Sequence, residues 1–162
     1  MRVAGGSMPD ERADRAPGGW KHIELDDPSM WPRDRIVDLP PGHRDDRGAI
    51  QPLVDFPVKN VSLITSRSGT VRSNHYHLTD WHFMYVLRGS FEYLFRPAGS
   101  VGTPGRVVVR EGQMLFTPPM EEHATVFLDD TTLVVASRHV RDQDVYEADV
   151  RRVVLVDPTR PR

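Results

Sequence analysis

Cysteine is absent from the 162 residues, which excludes disulfides, thiolate metal ligands and a cysteine nucleophile. Neither sign of charge dominates. Charged residues make up 27% of the chain and the formal net charge is −2, so no basic face for nucleic acid is advertised. No apolar run approaches the roughly 20 residues that a membrane-spanning helix needs. The opening MRVAGGSMPDERADRAPGGW also lacks the apolar core of a secretory signal. The expectation is a cytoplasmic protein whose partner is a small molecule rather than a nucleic acid or a membrane. Helical periodicity is scarce. There is no glycine-rich phosphate loop leading into a helix, no Ser/His/Asp set and no DNA-reading helix.

What the chain does have is punctuation. Fourteen prolines and twelve glycines separate short stretches rich in Val, Ile, Leu, Phe and Tyr, the pattern of an all-β protein. Strands are expected at 49–56, 61–67, 71–77, 82–88, 91–97, 106–110, 114–118, 122–128 and 131–137. Arg88-Gly89-Ser90 and Asp129-Asp130 serve as hairpin turns, and 97–105 is a loop. So many short strands suggest a sandwich or barrel. The organisation expected is a tail at 1–19, a Pro-rich extended arm at 20–46, one β-barrel domain at 47–157 and a short tail at 158–162. The arm is expected to lie against a second subunit of a homodimer, hiding a sheet edge.

Three of the seven histidines, His75, His77 and His82, fall within eight positions. His75 and His77 are two apart, so on a strand they leave the same face. His82 opens the next strand, and His123 lies on a strand much later in the chain. Inward residues of neighbouring strands converge in a small barrel, which brings four imidazoles towards one point. Asp80 reads either as a turn residue or as a carboxylate that sets the tautomer of a metal-bound imidazole. Arg72 is a candidate for binding phosphate or carboxylate at the barrel mouth. Aromatic residues from Trp81 to Phe95 read mainly as core, with Tyr85 a candidate to floor a ring-shaped ligand. His22, His43 and His139 stand in no motif and read as surface residues.

The spacing of these residues resembles the cupin superfamily. Its first motif is matched by Gly69, five residues, His75-Tyr76-His77, four residues, His82, six residues and Gly89. Its second is matched by Gly112, five residues, Pro118-Pro119-Met120, two residues, His123, three residues and Phe127. His82 stands at the motif's glutamate, Met120 at its glycine and Phe127 at its asparagine. The resemblance implies a single jelly-roll barrel holding a divalent metal on His75, His77, His82 and His123, with Phe127 drying the pocket wall. Imidazole suits Zn, Fe, Ni, Cu and, in some cupins, Mn, so ligand type does not choose the metal.

A second resemblance is to the cupins that act on nucleotide-linked deoxysugars, the 3,5-epimerases and 3,4-ketoisomerases of dTDP-4-keto sugars. It rests on Asp45-Asp46-Arg47-Gly48, on Arg72-Ser73-Asn74-His75 and on the His75, His77 pair. It implies His75 and His77 as catalytic bases beside a keto group, with no metal, and an arginine for phosphate. The tyrosine expected of the epimerases about a dozen residues after His123 is missing. The function expected is isomerisation or epimerisation next to the carbonyl of a sugar in a metal-binding cupin. A metal-dependent dioxygenase and a non-catalytic binding module are the alternatives.

Overall fold

A computed structural model describes residues 26–159. Its strands run β1 (Ile36–Val37), β2 (His43–Asp45), β3 (Gly48–Ile50), β4 (Asn60–Ser66), β5 (Val71–His77), β6 (His82–Arg88), β7 (Ser90–Pro97), β8 (Gly105–Arg110), β9 (Met114–Thr117), β10 (Glu121–Phe127), β11 (Thr131–Ser137) and β12 (Val150–Arg152). One short helix, α1 (Gln143–Asp149), precedes the last strand. Two five-stranded antiparallel sheets, ordered β1-β9-β6-β11-β4 and β12-β5-β10-β7-β8, form the body, and β2 and β3 make a separate hairpin. This is the all-β jelly roll expected. No described helix is long and apolar enough to cross a membrane.

The strand ends follow from the punctuation. Gly89, at φ 87°, joins β6 to β7. A Cβ there would stand 2.6 Å from the Asp130 carbonyl, so both the angle and the space require glycine. The expected strand at 49–56 shrinks to β3, because Pro52 has no N–H for a ladder. Among the elements named, β1, β2, α1 and β12 were not read from the sequence.

Two apolar clusters result from strand alternation. One lies between the sheets and contains Met84, Val86, Phe91, Tyr93, Val109, Leu115, Phe127, Leu133 and Val135. The other lies on the outer face of the first sheet. There Trp81, Phe83 and Phe116 meet Trp31, Leu39, Leu53, Phe56 and Val58. The described part of the arm packs on its own sheet, with β1 paired to β9. Trp31 of the arm meets Phe116 edge-on at 6.3 Å, and Phe56, beyond the arm, meets Trp81 at 5.7 Å. Arg35, from the same arm, bridges to buried Glu121 at the start of β10.

A bulge in β5 sets the site. His123 pairs with His75 but Ala124 pairs with Ser73, leaving Asn74 as the extra residue. Ser73 and Asn74 both have positive φ, 70° and 54°. The bulge turns the strand so that Arg72, opposite Thr125, shares a face with His75, opposite His123. The chain's C-terminal segment locks it: the Asn74 side chain accepts from the amides of Leu155 and Val156 and donates to the Val156 carbonyl at 2.8 Å. Asn74→Ala removes these bonds and places a Cβ residue without their support in the left-handed region. It is expected to destabilise the fold by roughly 2–4 kcal/mol, read as a lower urea midpoint with an unchanged slope. An unaltered midpoint would contradict this role for the bulge.

Candidate functional site: a buried histidine cluster

His75, His77 and His123 come together between the sheets. One ring nitrogen from each lies within 4.8 Å of the others. Ring centroids are 4.8 Å apart for His75 and His77 and 4.7 Å for His75 and His123. His82 belongs to an adjoining set with His77 and Asp80, its ring 4.6 Å from that of His77. The four imidazoles are thus neighbours, in two triplets that share His77, where one common sphere was expected.

The hydrogen bonds fix where the ring protons sit. His77 Nδ1 lies 3.0 Å from Asp149 Oδ2, at the end of α1. Asp149 is saturated with donors, the Thr79 amide at 2.8 Å, the Thr79 hydroxyl at 2.6 Å and the Asp80 amide at 3.2 Å. Burial works to raise its pKa, but the Thr79 bonds prevail and hold it below the ordinary carboxylate value. An ionised Asp149 makes His77 Nδ1 the donor. His77 Nε2 then carries a lone pair, and that atom is buried with no hydrogen-bond partner. His123 repeats the arrangement: its Nδ1 lies 2.9 Å from the Glu121 carbonyl oxygen, again leaving Nε2 with the lone pair. His82 Nε2 lies 2.9 Å from Asp80 Oδ2. Burial opposes ionisation of Asp80, yet the hydrogen bonds from His82 and from the His139 amide help bring its pKa below the usual value. Asp80 is therefore a holder of His82 as well as a turn residue, and its other oxygen accepts the His139 amide.

Desolvation keeps the cluster neutral. Burial, followed by the neighbouring imidazoles His123, His77 and His82, takes His75 down to about 2. Burial and then His82 take His77 to about 4, and burial takes His123 to about 3. At neutral pH all three lone pairs are free for a cation or a substrate proton. Beneath His123 lies a polar floor. Tyr93 stacks on its ring at 5.7 Å and donates to Glu121 at 2.9 Å. Glu121 is raised by burial even though Arg35 binds it.

Sequence reasoning did not find Asp149 or Tyr146. Both lie on α1, three residues apart and hence on one helix face. Tyr146 reaches the cluster, with ring centroids 5.8 Å from His77 and 6.2 Å from His75. The available signal was Asp142, an N-cap accepting from the amides of Asp144 and Val145, but a seven-residue helix shows too little periodicity to stand out. Two other candidates move. Tyr85 points away from the barrel interior, since His82, Met84 and Val86 point in, and it packs with the outer cluster. Phe127 shares a face with His123 but lies four residues on, packed on Phe91 in the core at 5.8 Å. Neither reaches the histidines. Arg47 is paired with Asp45 in the exposed hairpin, and His22 lies outside the described residues. Met120, at the motif's glycine, keeps a glycine-like backbone at φ 57°.

A cavity of about 540 Å³ opens beside His75 and is lined also by Arg72, Asn74, Tyr146 and Arg152. A second, about 580 Å³, adjoins it through Val71 and Arg72 and carries Arg67 and Arg88. Arg72 stands at the junction, held by the Ser66 hydroxyl at 2.7 Å and the Thr65 carbonyl at 3.1 Å.

No protein-family model matches the chain, and no curated protein does. Solved structures do match. The TDP-quinovose 3,4-ketoisomerase WlaRB from Campylobacter jejuni superposes with a TM-score of 0.61 at 19% identity, over 73% of this chain and 92% of that one. The chain shares the jelly-roll fold of such structures. The sugar 3,4-ketoisomerase QdtA from Thermoanaerobacterium thermosaccharolyticum, in complex with TDP, gives 0.59 at 17% over 74% and 87%. The dTDP-4-dehydrorhamnose 3,5-epimerase from Sulfolobus tokodaii gives 0.56 at 20% over 74% and 77%. At these identities the likeness is one of fold.

The lowered histidine values have a consequence for stability. Ordinary histidine titrates near 6.5, so between pH 6.5 and about 4 the unfolded chain takes up protons that the folded cluster refuses. Stability is expected to fall with pH across that window, by up to about 1.4 kcal/mol per unit for each of the three. Glu121, raised by burial, contributes with the opposite sign, one group against three. Thermal midpoints at pH 7, 6 and 5 should decrease in that order. Equal midpoints would contradict a cluster held neutral by burial.

Proposed function

We propose that this protein is an isomerase or epimerase that moves a proton beside the carbonyl of a nucleotide-linked keto sugar, with a divalent cation held by His75, His77 and His123. The observation that carries the metal is the buried, partnerless Nε2 of His77. Its ring is fixed from behind by Asp149, His123 is fixed likewise by Glu121, and the three ligand atoms lie within 4.8 Å of one another. Carboxylate or carbonyl behind imidazole, with the far nitrogen presented inward, is how proteins prepare histidine for metal. Neutral imidazoles also suit a cation without having to lose protons first.

When bound, such a cation polarises the carbonyl and makes the neighbouring C–H more acidic. The chain's own residues supply the rest. His82 stands outside the three-histidine set, its Nε2 occupied by Asp80, so Nδ1 is left as the acceptor for the substrate proton. Asp80 steadies the imidazolium that forms. Arg72 and Arg152, beside the cavity at His75, suit the phosphates of a nucleotide handle, and the adjoining cavity with Arg67 and Arg88 gives that handle room. The substrate class is supported by the likeness in fold to a TDP-quinovose 3,4-ketoisomerase and a dTDP-4-dehydrorhamnose 3,5-epimerase.

A second reading, without metal, has an observation of its own. His77 on Asp149 is also the geometry of an oriented general base, with Nε2 free to take the proton. The experiment is hydrogen exchange at the carbon beside the carbonyl of a TDP-4-keto-6-deoxy sugar in D₂O, with metal analysis of the same preparation. The expected outcome is about one divalent ion per chain, loss of exchange on chelation and recovery when metal is restored. His82→Asn should cost about 10²- to 10⁴-fold in exchange rate with metal retained. Exchange that survives complete metal removal and His82→Asn, but not Asp149→Asn, would move the assignment to the His77 base. Absence of exchange with every keto-sugar nucleotide tried would end both readings.

We also propose that the chain forms a homodimer. Exposed Val61 and Leu63 on the edge strand β4 give an apolar strip beside backbone groups with no partner strand among the described residues. Light scattering at micromolar concentration should give twice 18.4 kDa. A monomer would refute it.

A further inference from the structure

The reaction proposed above leaves one demand that the histidines cannot meet. As the proton leaves carbon, the C–H electron pair becomes a C=C bond and the carbonyl π pair moves onto oxygen. That oxygen needs hydrogen-bond donors aimed at it. His77 and His123 have committed their N–H groups outward, to Asp149 and the Glu121 carbonyl, and His82 has committed its own to Asp80. Towards the substrate these three rings present lone pairs only. A cation held by the three histidines would supply positive charge to that oxygen, and a neutral hydrogen-bond donor is still needed beside it.

We propose that Tyr146 is that donor. Its ring meets both His75 and His77 edge-on, at interplanar angles of 82° and 66°. It lines, with His75, the cavity of about 540 Å³. The residue is half-buried, and its hydroxyl makes no hydrogen bond with any described residue. The helix that carries it is anchored at both ends, at Asp142 by the cap and at Asp149 by the bonds to His77 and Thr79. Arg141 stacks over the ring with its guanidinium carbon 5.3 Å from the centroid. The phenol is thus held by its backbone and its face, with its oxygen left for a ligand. When the substrate oxygen gains charge, Tyr146 donates a hydrogen bond to it and keeps its proton. When the proton returns to carbon, the electrons return along the same path, so nothing is consumed.

The inference rests on the proposed proton transfer, and the test separates the two. The wild type, Tyr146→Phe, Tyr146→Gln and the control Tyr76→Phe are compared for exchange in D₂O with the keto-sugar nucleotide, metal content and thermal midpoint. Tyr76 lies between the two histidines on β5 and so faces the other side of the strand. Loss of one donor to a developing oxyanion costs about 10²- to 10³-fold in kcat. Tyr146→Phe should show that loss with KM within a few-fold, metal content unchanged and Tyr76→Phe equal to wild type. Tyr146→Gln, which has an N–H donor but no ring, should retain more activity than Tyr146→Phe. A Phe variant equal to wild type, or one more active than the Gln variant, would mean that the ring only packs, and would overturn the proposal. A wild type that exchanges no proton would overturn the underlying reading and this one with it.

Discussion

A neutral imidazole has one N–H and one lone pair, and burial forces both to be accounted for. The three-histidine cluster depends on that constraint. Three rings with centroids 4.7 to 6.1 Å apart cannot all be charged, and in a desolvated interior none of them is near neutral pH. Each ring proton then needs an acceptor that is not another histidine. For His123 the acceptor is the carbonyl two residues earlier on its own strand. For His77 there is none nearby in sequence, and Asp149 is brought from 72 residues away.

Much of the C-terminal architecture serves that one hydrogen bond. Asp149 ends α1, and the next three residues form β12, which pairs with β5 at His77, Tyr76 and His75. The strand that carries the histidines is therefore braced on both edges, by β10 and by β12. The bulge at Asn74 adds a second tie between β5 and the segment after β12. On the opposite side Arg35 reaches in from the N-terminal arm to Glu121, so chain segments from both ends converge on the barrel mouth. An unpaired Glu121 there would be a buried charge. With Arg35 it makes a bidentate pair, the arrangement for which guanidinium is suited.

How much of this could be read beforehand follows from the range over which each signal acts. The long strands β5, β6 and β11 have the boundaries read from alternation and turn residues, because those signals are local. His75, His77 and His123 were found by spacing, since two-residue periodicity and a motif survive in the linear chain. Tyr85 was misplaced by one step of that same alternation: counting inward from His82 puts residue 84, not 85, in the barrel. Arg72 reaches the site's face only because Asn74 is a bulge, and nothing local announces that an asparagine will take φ 54°. Asp149 and Tyr146 could not be seen, because one depends on a tertiary contact and the other on the helix that contact fixes. The arm was read as interfacial from its length and prolines, and the packing of its Trp31 on Phe116 is a tertiary contact that no local signal announces.

The replacement of the motif's glutamate by His82 also has a charge argument behind it. A glutamate among the ligands would bring one negative charge directly to the cluster. Here the negative charge stands one residue back, on Asp149 behind His77 and on Asp80 behind His82, both held below the ordinary carboxylate value. Two ionised carboxylates behind these rings suit a divalent cation in the proposed site. Without a cation the same two charges would draw a proton onto the imidazoles, yet His77, which touches Asp149, still falls only to about 4 because burial outweighs that attraction. In the reaction proposed above, this charge pattern is the reason to place a cation ahead of a free histidine base. It leaves His82, backed by a carboxylate of its own, outside the proposed ligand set.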